Sequence, residues 1–448
     1  MDNERVTFKQ IEDCFDSFLL LEDRNVVRLM LSVVIGNQMG GRRPIWLMLV
    51  APSSSGKTTL LNSLNGMELI NKNGDKIHPI QEISEITESS FASGMRRSDK
   101  ETSLLFRIPH GGLLLFKDFT SMLSQHKEVQ TKLMSQLREI YDGKYTKRFG
   151  NGEDIEWAGK IGAIAGVTEA IYRHLESMSV MGDRFIFYQP HQPDRREALV
   201  FKLEQEERGT TEYVQTPIVQ GMVQQYVQQA LDGIDDHALV LDKKTRDEVI
   251  EVADFCTLAR SGLFTNNYTG EIVFTPTPEM PMRMFEQMLA IASALRYMRV
   301  MEGDISGPTQ SIPQDDFNLI YKVAYDSIPV VRRTALRHLA QHTEGVDTAA
   351  LAMKINYPTK VVAGWLEELT ALGVVQRVKR SGFGNWWKLR PQYQKIVLKL
   401  QGVKVLSDYL TQEDAEAGGP EVEWERDKKL ERYTDPHTLK EMEENDSW

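Results

Sequence analysis

Apolar positions fall into two rhythms along this chain. Helical spacing links Phe15, Phe18 and Leu19, then Val26, Val27, Leu29, Met30 and Val33. Gly40-Gly41-Arg42-Arg43-Pro44 breaks that pattern. Short continuous apolar runs follow at residues 45–50, 112–116, 161–167 and 185–188, as buried strands require. Helical patterns separate them, over residues 58–64, 128–141 and 169–181. From 195 to 300 the pattern is helical, acidic and Gln-rich, ending in a strong helix over 282–298. Strands alternating with helices predict an α/β fold.

The first apolar run leads into Ala51-Pro52-Ser53-Ser54-Ser55-Gly56-Lys57-Thr58-Thr59, and a helix follows. Strand, small-residue loop and helix in that order form a phosphate-cradling loop. Its backbone N–H groups wrap the anion, Lys57 reaches the β/γ oxygens and the Thr58 hydroxyl ligates Mg²⁺. Ala51 stands where the motif usually has glycine, a position that needs only a small residue. The chain is therefore expected to bind ATP with Mg²⁺. A second run ends in Lys117-Asp118, and an acid at a strand tip some sixty residues after such a loop can hold Mg²⁺. Phe119 follows, where many such ATPases carry a water-activating glutamate; Glu85 and Glu88 are substitutes from a neighbouring strand, or plain helix-cap acids.

Other polar residues sit at telling junctions. Thr168 tips the strand after Asp118 and can orient water or touch the γ-phosphate. Arg184, in Gly182-Asp183-Arg184-Phe185, suits a finger reaching a neighbouring subunit's nucleotide, or else a pair with a carboxylate such as Asp183. Arg283 in the helix after Pro281 can swing onto the γ-phosphate, or serve as a surface charge. Residues 144–157 read as a hairpin turning at Asn151-Gly152. Lys144, Lys147 and Arg148, with Tyr145 and Phe149 beside them, suit contact with a nucleic-acid backbone, although a solvated hairpin would look the same.

Charge changes the picture at the carboxy-terminal end. Net charge is −11 overall, which argues against nucleic acid, yet residues 329–400 hold twelve Lys and Arg against four Asp and Glu. Residues 401–448 hold six against fourteen, a composition expected to be weakly ordered, and able to solubilise or to dock a protein partner. Within the basic stretch, helices are expected over 329–340, 347–354 and 359–372, then strands over 374–379 and 386–389. Two scattered cysteines, the polar start and the lack of long apolar runs predict a cytoplasmic protein without a membrane span.

The order of APSSSGKT, LLLFKD, KYTKRFGNGEDIEW, AGVT, GDRF and PMRMFEQM resembles the AAA+ ATPases over residues 20–300, in the branch with a hairpin before the sensor strand. Minichromosome-maintenance and superfamily 3 helicases belong there. The resemblance implies a P-loop NTPase three-layer domain with a helical lid. It implies phosphate and Mg²⁺ on Lys57, Thr58 and Asp118, a sensor at Thr168, a finger at Arg184, a lid arginine at Arg283, and a hexamer. The carboxy-terminal spacing resembles a winged helix-turn-helix. Thr359 and Lys360 would face DNA from the recognition helix, with Arg377, Lys379 and Arg380 on the wing; such modules also dock proteins.

The expected organisation is a helical segment 1–42, an ATPase core 43–192, a lid region 193–312, a winged helix domain 313–403 and an acidic tail 404–448. The function expected is a ring-forming, DNA-acting ATPase, a helicase or helicase loader in replication. An ATP-gated transcriptional regulator with slow turnover, and an ATP-binding scaffold for proteins, are the alternatives.

Overall fold

The computed structural model describes residues 5–84, 90–91, 103–148, 154–174, 183–233, 241–265, 272–305, 311–378 and 385–401. Its strands in chain order are β1 (Trp46–Val50), β2 (Leu69–Ile70), β3 (Lys76–Ile77), β4 (Ile80–Ile83), β5 (Leu113–Phe116), β6 (Lys144–Arg148) and β7 (Asp154–Ala158). There follow β8 (Gly162–Val167), β9 (Ile186–Tyr188), β10 (Phe264–Thr265), β11 (Ile272–Phe274), β12 (Val346–Asp347), β13 (Val375–Val378) and β14 (Trp386–Leu389). The protein is α/β. Five strands form one parallel sheet in the order β4-β5-β8-β1-β9.

Both faces of that sheet are covered, which explains the unbroken apolar runs. Because side chains alternate across a strand, Leu47 and Leu49 of β1 enter one core while Trp46, Met48 and Val50 enter the other. On the first face, helix Asn25–Gln38 packs along helix Met282–Glu302. Gly36 permits the approach: a Cβ there would lie 2.8 Å from Ile45 Cδ1 and 3.2 Å from the Ala290 carbonyl oxygen. On the second face lies helix Lys127–Tyr141, with the antiparallel β6-β7 hairpin beside it. Trp46 is fully buried there, its indole N–H donating to the Ile161 carbonyl at 2.8 Å, with Tyr141 and Phe185 against its ring.

The carboxy-terminal helices Val330–Ala340, Thr348–Ile355 and Thr359–Ala371 pack with a three-stranded antiparallel sheet, β12-β14-β13. They share the first core with the main sheet. Arg332 fastens them to the body: its guanidinium donates to the carbonyls of Ala259 at 2.9 Å and Ser261 at 2.8 Å, and to Glu368 at 3.0 Å. Helix Gln314–Asp326 lies along β9. Among the described residues no helix is long and apolar enough to cross a membrane. The tail 404–448 expected to be weakly ordered lies outside the described residues.

Lys160 gives a testable electrostatic consequence of this packing. It is buried, and its ammonium donates to the Met39 carbonyl at 2.9 Å, at the end of helix Asn25–Gln38. Burial, with Arg42 adding to it, pulls its pKa down to about 8, against about 10.4 in an unfolded chain. Between those values the unfolded state binds the extra proton, so stability rises with pH. Relative to Lys160→Met, wild-type stability is expected to climb by up to about 3 kcal/mol between pH 8 and 10, read by urea unfolding at stepped pH. A flat difference would contradict the burial.

Candidate functional site

The loop after β1 is shaped by two backbone exceptions. Ser54 and Gly56 both have positive φ, 60° and 79°, which turns successive N–H groups towards one concave space. Gly56 also lies close to the Leu19 side chain, whose Cδ1 a Cβ would approach to 2.7 Å and displace. Helix Lys57–Asn62 starts at once. The Lys57 ammonium folds over the loop and donates to the Ala51 and Pro52 carbonyls. Pro52, Ser53, Ser54 and Thr58 are exposed; Ser55 and Lys57 are half-buried. Thr59 is buried and its hydroxyl donates to Glu212 at 2.6 Å, so only its backbone faces the loop.

Sheet order brings the other predicted residues to this edge. β8 lies between β1 and β5, so Thr168 and Asp118 flank the loop. The Ala51 N–H donates to Val167 at 3.1 Å, which sets Thr168 beside the loop's first residue. Asp118 is exposed, and one carboxylate oxygen accepts from the Thr120 N–H at 2.9 Å. Burial pushes the Lys57 ammonium below its ordinary value, and the Asp118 carboxylate opposes that. A hydroxyl (Thr58), a carboxylate with a free oxygen edge (Asp118) and a cation (Lys57) thus share one solvent-facing space, a donor set that fits Mg²⁺ and phosphate oxygens. Among the described residues no group of three or more His, Cys, Asp and Glu is placed to hold a metal by itself. Phe119 is wholly buried between Phe116 and Phe185, so the position after Asp118 belongs to the core. Glu85 and Glu88 lie outside the described residues.

Two predicted arginines stand on the other edge of the sheet. Arg184 precedes β9, whose Ile186 pairs with Leu47. Gln287 joins this edge together, accepting from the Trp46 N–H at 3.0 Å and donating to the Arg184 carbonyl at 3.1 Å. Trp46 and Ala51 are five strand residues apart, about 16 Å. Arg283 lies one helical turn before Gln287 and pairs with Glu279 at 2.9 Å, while Glu279 also accepts from Arg260. Arg283 therefore lies towards the end of the sheet away from this chain's own loop. The helix carrying it enters from the opposite end. Arg184 is 4% exposed, bound to Asp142 at 2.7 Å and set over the Tyr141 ring. Its carboxylate partner is Asp142, where the sequence offered Asp183.

A cluster that sequence reasoning missed sits at the loop edge instead. Tyr188 pairs with Leu49, so Gln189 stands beside Val50. All four polar groups of Gln189 are engaged. Its N–H donates to Asp326 at 2.8 Å, its carbonyl accepts from Lys322 at 2.6 Å, its side-chain oxygen accepts from Arg333 at 3.0 Å, and its amide donates to Glu169 at 3.0 Å. Arg333 also binds Asp326. The loop edge is thereby tied to helices Gln314–Asp326 and Val330–Ala340. No local motif marks this; it follows from helix Gln314–Asp326 packing on β9.

The predicted nucleic-acid residues divide. Lys144 and Arg148 are exposed, Lys147 is half-buried, and Arg148 lies 3.5 Å from Asp154 across the hairpin. Tyr145 is 3% exposed and part of the second core, so it offers no stacking face; this corrects the reading of an aromatic beside the basic residues. Phe149 and the Asn151-Gly152 turn are outside the described residues. Thr359 and Lys360 are exposed at the start of their helix, with Val361, Tyr357 and Met353 exposed beside them. Arg377 is exposed over the Trp387 ring; Lys379 and Arg380 are outside the described residues. Arg332 and Arg333 point inward, so the basic count of this module overstates its surface charge.

No protein-family model matches the chain, and no curated protein matches it.

Proposed function

We propose that this chain is an ATP-dependent, DNA-acting motor of the AAA+ P-loop class, a ring-forming helicase or helicase loader, with a winged helix-turn-helix module at its carboxy-terminal end. The observation that carries this reading is the convergence of Lys57, Thr58, Asp118 and Thr168 at one sheet edge, around a loop with two positive-φ residues. In the parallel sheet the loop strand lies between β8 and β9. ATP phosphates would lie in the loop on its N–H groups, with Lys57 released from the Ala51 and Pro52 carbonyls onto the β/γ oxygens. Thr58 and Asp118 would hold Mg²⁺, which when bound neutralises charge on the phosphates. Thr168 would orient water. Arg184 and Arg283, remote from their own loop, would serve the nucleotide of a neighbouring copy.

Phe119 favours a second reading, an ATP-gated DNA-binding regulator with slow turnover, because the position after Asp118 is a buried phenylalanine and not an acid. The two separate in a forked-duplex assay with ATP and Mg²⁺. Unwinding that depends on Lys57 supports the motor. Tight sequence-specific duplex binding with negligible turnover would replace it with the regulator.

The DNA surface has its own test. Arg377→Ser is expected to weaken binding of unrelated duplexes alike by about three- to tenfold and to lower the salt slope by about one. Unchanged affinity and slope would remove the β13-β14 strands from the DNA interface.

A further inference from the structure

Thr168 and the carboxy-terminal module are joined by a short run of polar groups within one chain. Thr168 leads directly into a 3-10 helix, Glu169–His174. Such a turn has poorer hydrogen-bond geometry than an α-helix and holds itself weakly, so its side-chain bonds help to set where it lies. Glu169 is exposed, yet its carboxylate accepts from the Gln189 side-chain amide at 3.0 Å. β8 and β9 stand on either side of β1, so this bond closes across the strand that carries the loop. Burial pushes the Tyr172 hydroxyl of the same turn up in pKa and Arg333 draws it back, which places it near that guanidinium.

The far end of this run is firmly built. The Gln189 side-chain oxygen accepts from Arg333 at 3.0 Å, and Arg333 also binds Asp326. Asp326 and Arg333 are both buried, while Asp326 and Lys322 hold the Gln189 backbone. Arg333 belongs to helix Val330–Ala340, which packs against helix Thr359–Ala371 and β14. These are the DNA-facing elements of the module proposed above.

We propose that the Glu169–Gln189–Arg333 run couples the phosphate loop to the module, so that nucleotide and duplex DNA each change the other's affinity. The inference rests on the functional reading above and names a regulatory link for that same site. A γ-phosphate held by Thr168 fixes the start of the turn, and the Glu169 carboxylate passes any displacement on to Gln189. With its backbone held, the Gln189 side chain is the part that moves. Its oxygen cannot follow Glu169 without shifting Arg333. A contiguous network of such bonds can carry coupling between separate sites.

The test measures linkage in the full chain, with a non-hydrolysable ATP analogue, Mg²⁺ and a fluorescent duplex. Saturating analogue is expected to change duplex affinity by about fivefold or more, and saturating duplex to change analogue affinity by the same factor. Gln189→Glu keeps an oxygen for Arg333 and sets a second carboxylate against Glu169. Glu169→Ala removes the bridge at an exposed position, without touching the core. In both variants each ligand alone should bind within about twofold of wild type, and the coupling factor should fall to about one. Combining Gln189→Glu with Glu169→Gln exchanges the amide and the carboxylate, so the bridge can re-form and the factor should return. A merely structural role would not give that rescue. Two ligands that bind the wild type without mutual effect, a factor that survives both single variants, or one that the exchange fails to restore would each overturn the link. A wild type that binds no analogue, or no duplex, is a different failure: it removes the functional reading itself, and the link with it.

Discussion

Lys57→Ala is expected to weaken ATP binding about 10- to 100-fold and to lower hydrolysis by at least about 100-fold. The Asp118 carboxylate opposes the burial that lowers the Lys57 pKa, so the two charges act on each other at the loop edge. A hydrogen bond to a charged group is worth about 1.5–3 kcal/mol, which is one to two decades of affinity. The transition state gains more than the ground state as charge moves onto the phosphoryl oxygens, so turnover falls further. Folding should be little affected, because the side chain is half-buried and bonds only its own loop. Asp118→Asn supplies the contrast. It keeps the bond from the Thr120 N–H and loses the negative charge, so nucleotide affinity should become less sensitive to Mg²⁺. Fluorescent-nucleotide titration with and without Mg²⁺ reads both variants. Equal affinity in Lys57→Ala and wild type would mean that the loop holds no triphosphate.

Much of this edge is legible in the sequence because its signals are local. A buried parallel strand is an unbroken apolar run, so β1, β5, β8 and β9 announce themselves, and the small residues after β1 announce the loop. The hairpin is equally plain, since Tyr145 and Ile155 alternate with polar neighbours on facing strands. What the sequence withholds is which edge a residue reaches. Arg283 and Arg333 both follow helix boundaries, yet Arg283 comes to the end of the sheet remote from the loop and Arg333 to the loop end. Helix Met282–Glu302 is buried on most sides against helix Asn25–Gln38, so no apolar stripe indicates its direction. The basic composition of residues 329–400 misleads for a related reason. Arg332 and Arg333 spend their charge inside, on carbonyls and on Asp326, and a count cannot tell an inward arginine from an outward one.

Arg184 and Asp142 should respond very unequally to substitution, and the inequality separates structure from chemistry. Arg184 is 4% exposed as a side chain and Asp142 is 42% exposed. Asp142→Ala leaves a buried guanidinium without the carboxylate 2.7 Å away, at a cost of about 2–3 kcal/mol, below the roughly 3–5 kcal/mol of a fully buried pair because Asp142 is partly solvated. Arg184→Met removes the buried cation, keeps an apolar stem against Tyr141, and lets Asp142 turn to water, so its cost should stay near ~1 kcal/mol. The double variant should then be more stable than Asp142→Ala alone, a coupling that urea denaturation of all four chains measures directly. Activity adds the second axis. If Arg184 reaches a neighbour's nucleotide, Arg184→Met binds ATP normally and turns over at least about 1,000-fold more slowly. A variant that stays folded, assembles and hydrolyses ATP at the wild-type rate would confine Arg184 to holding Asp142 and Tyr141.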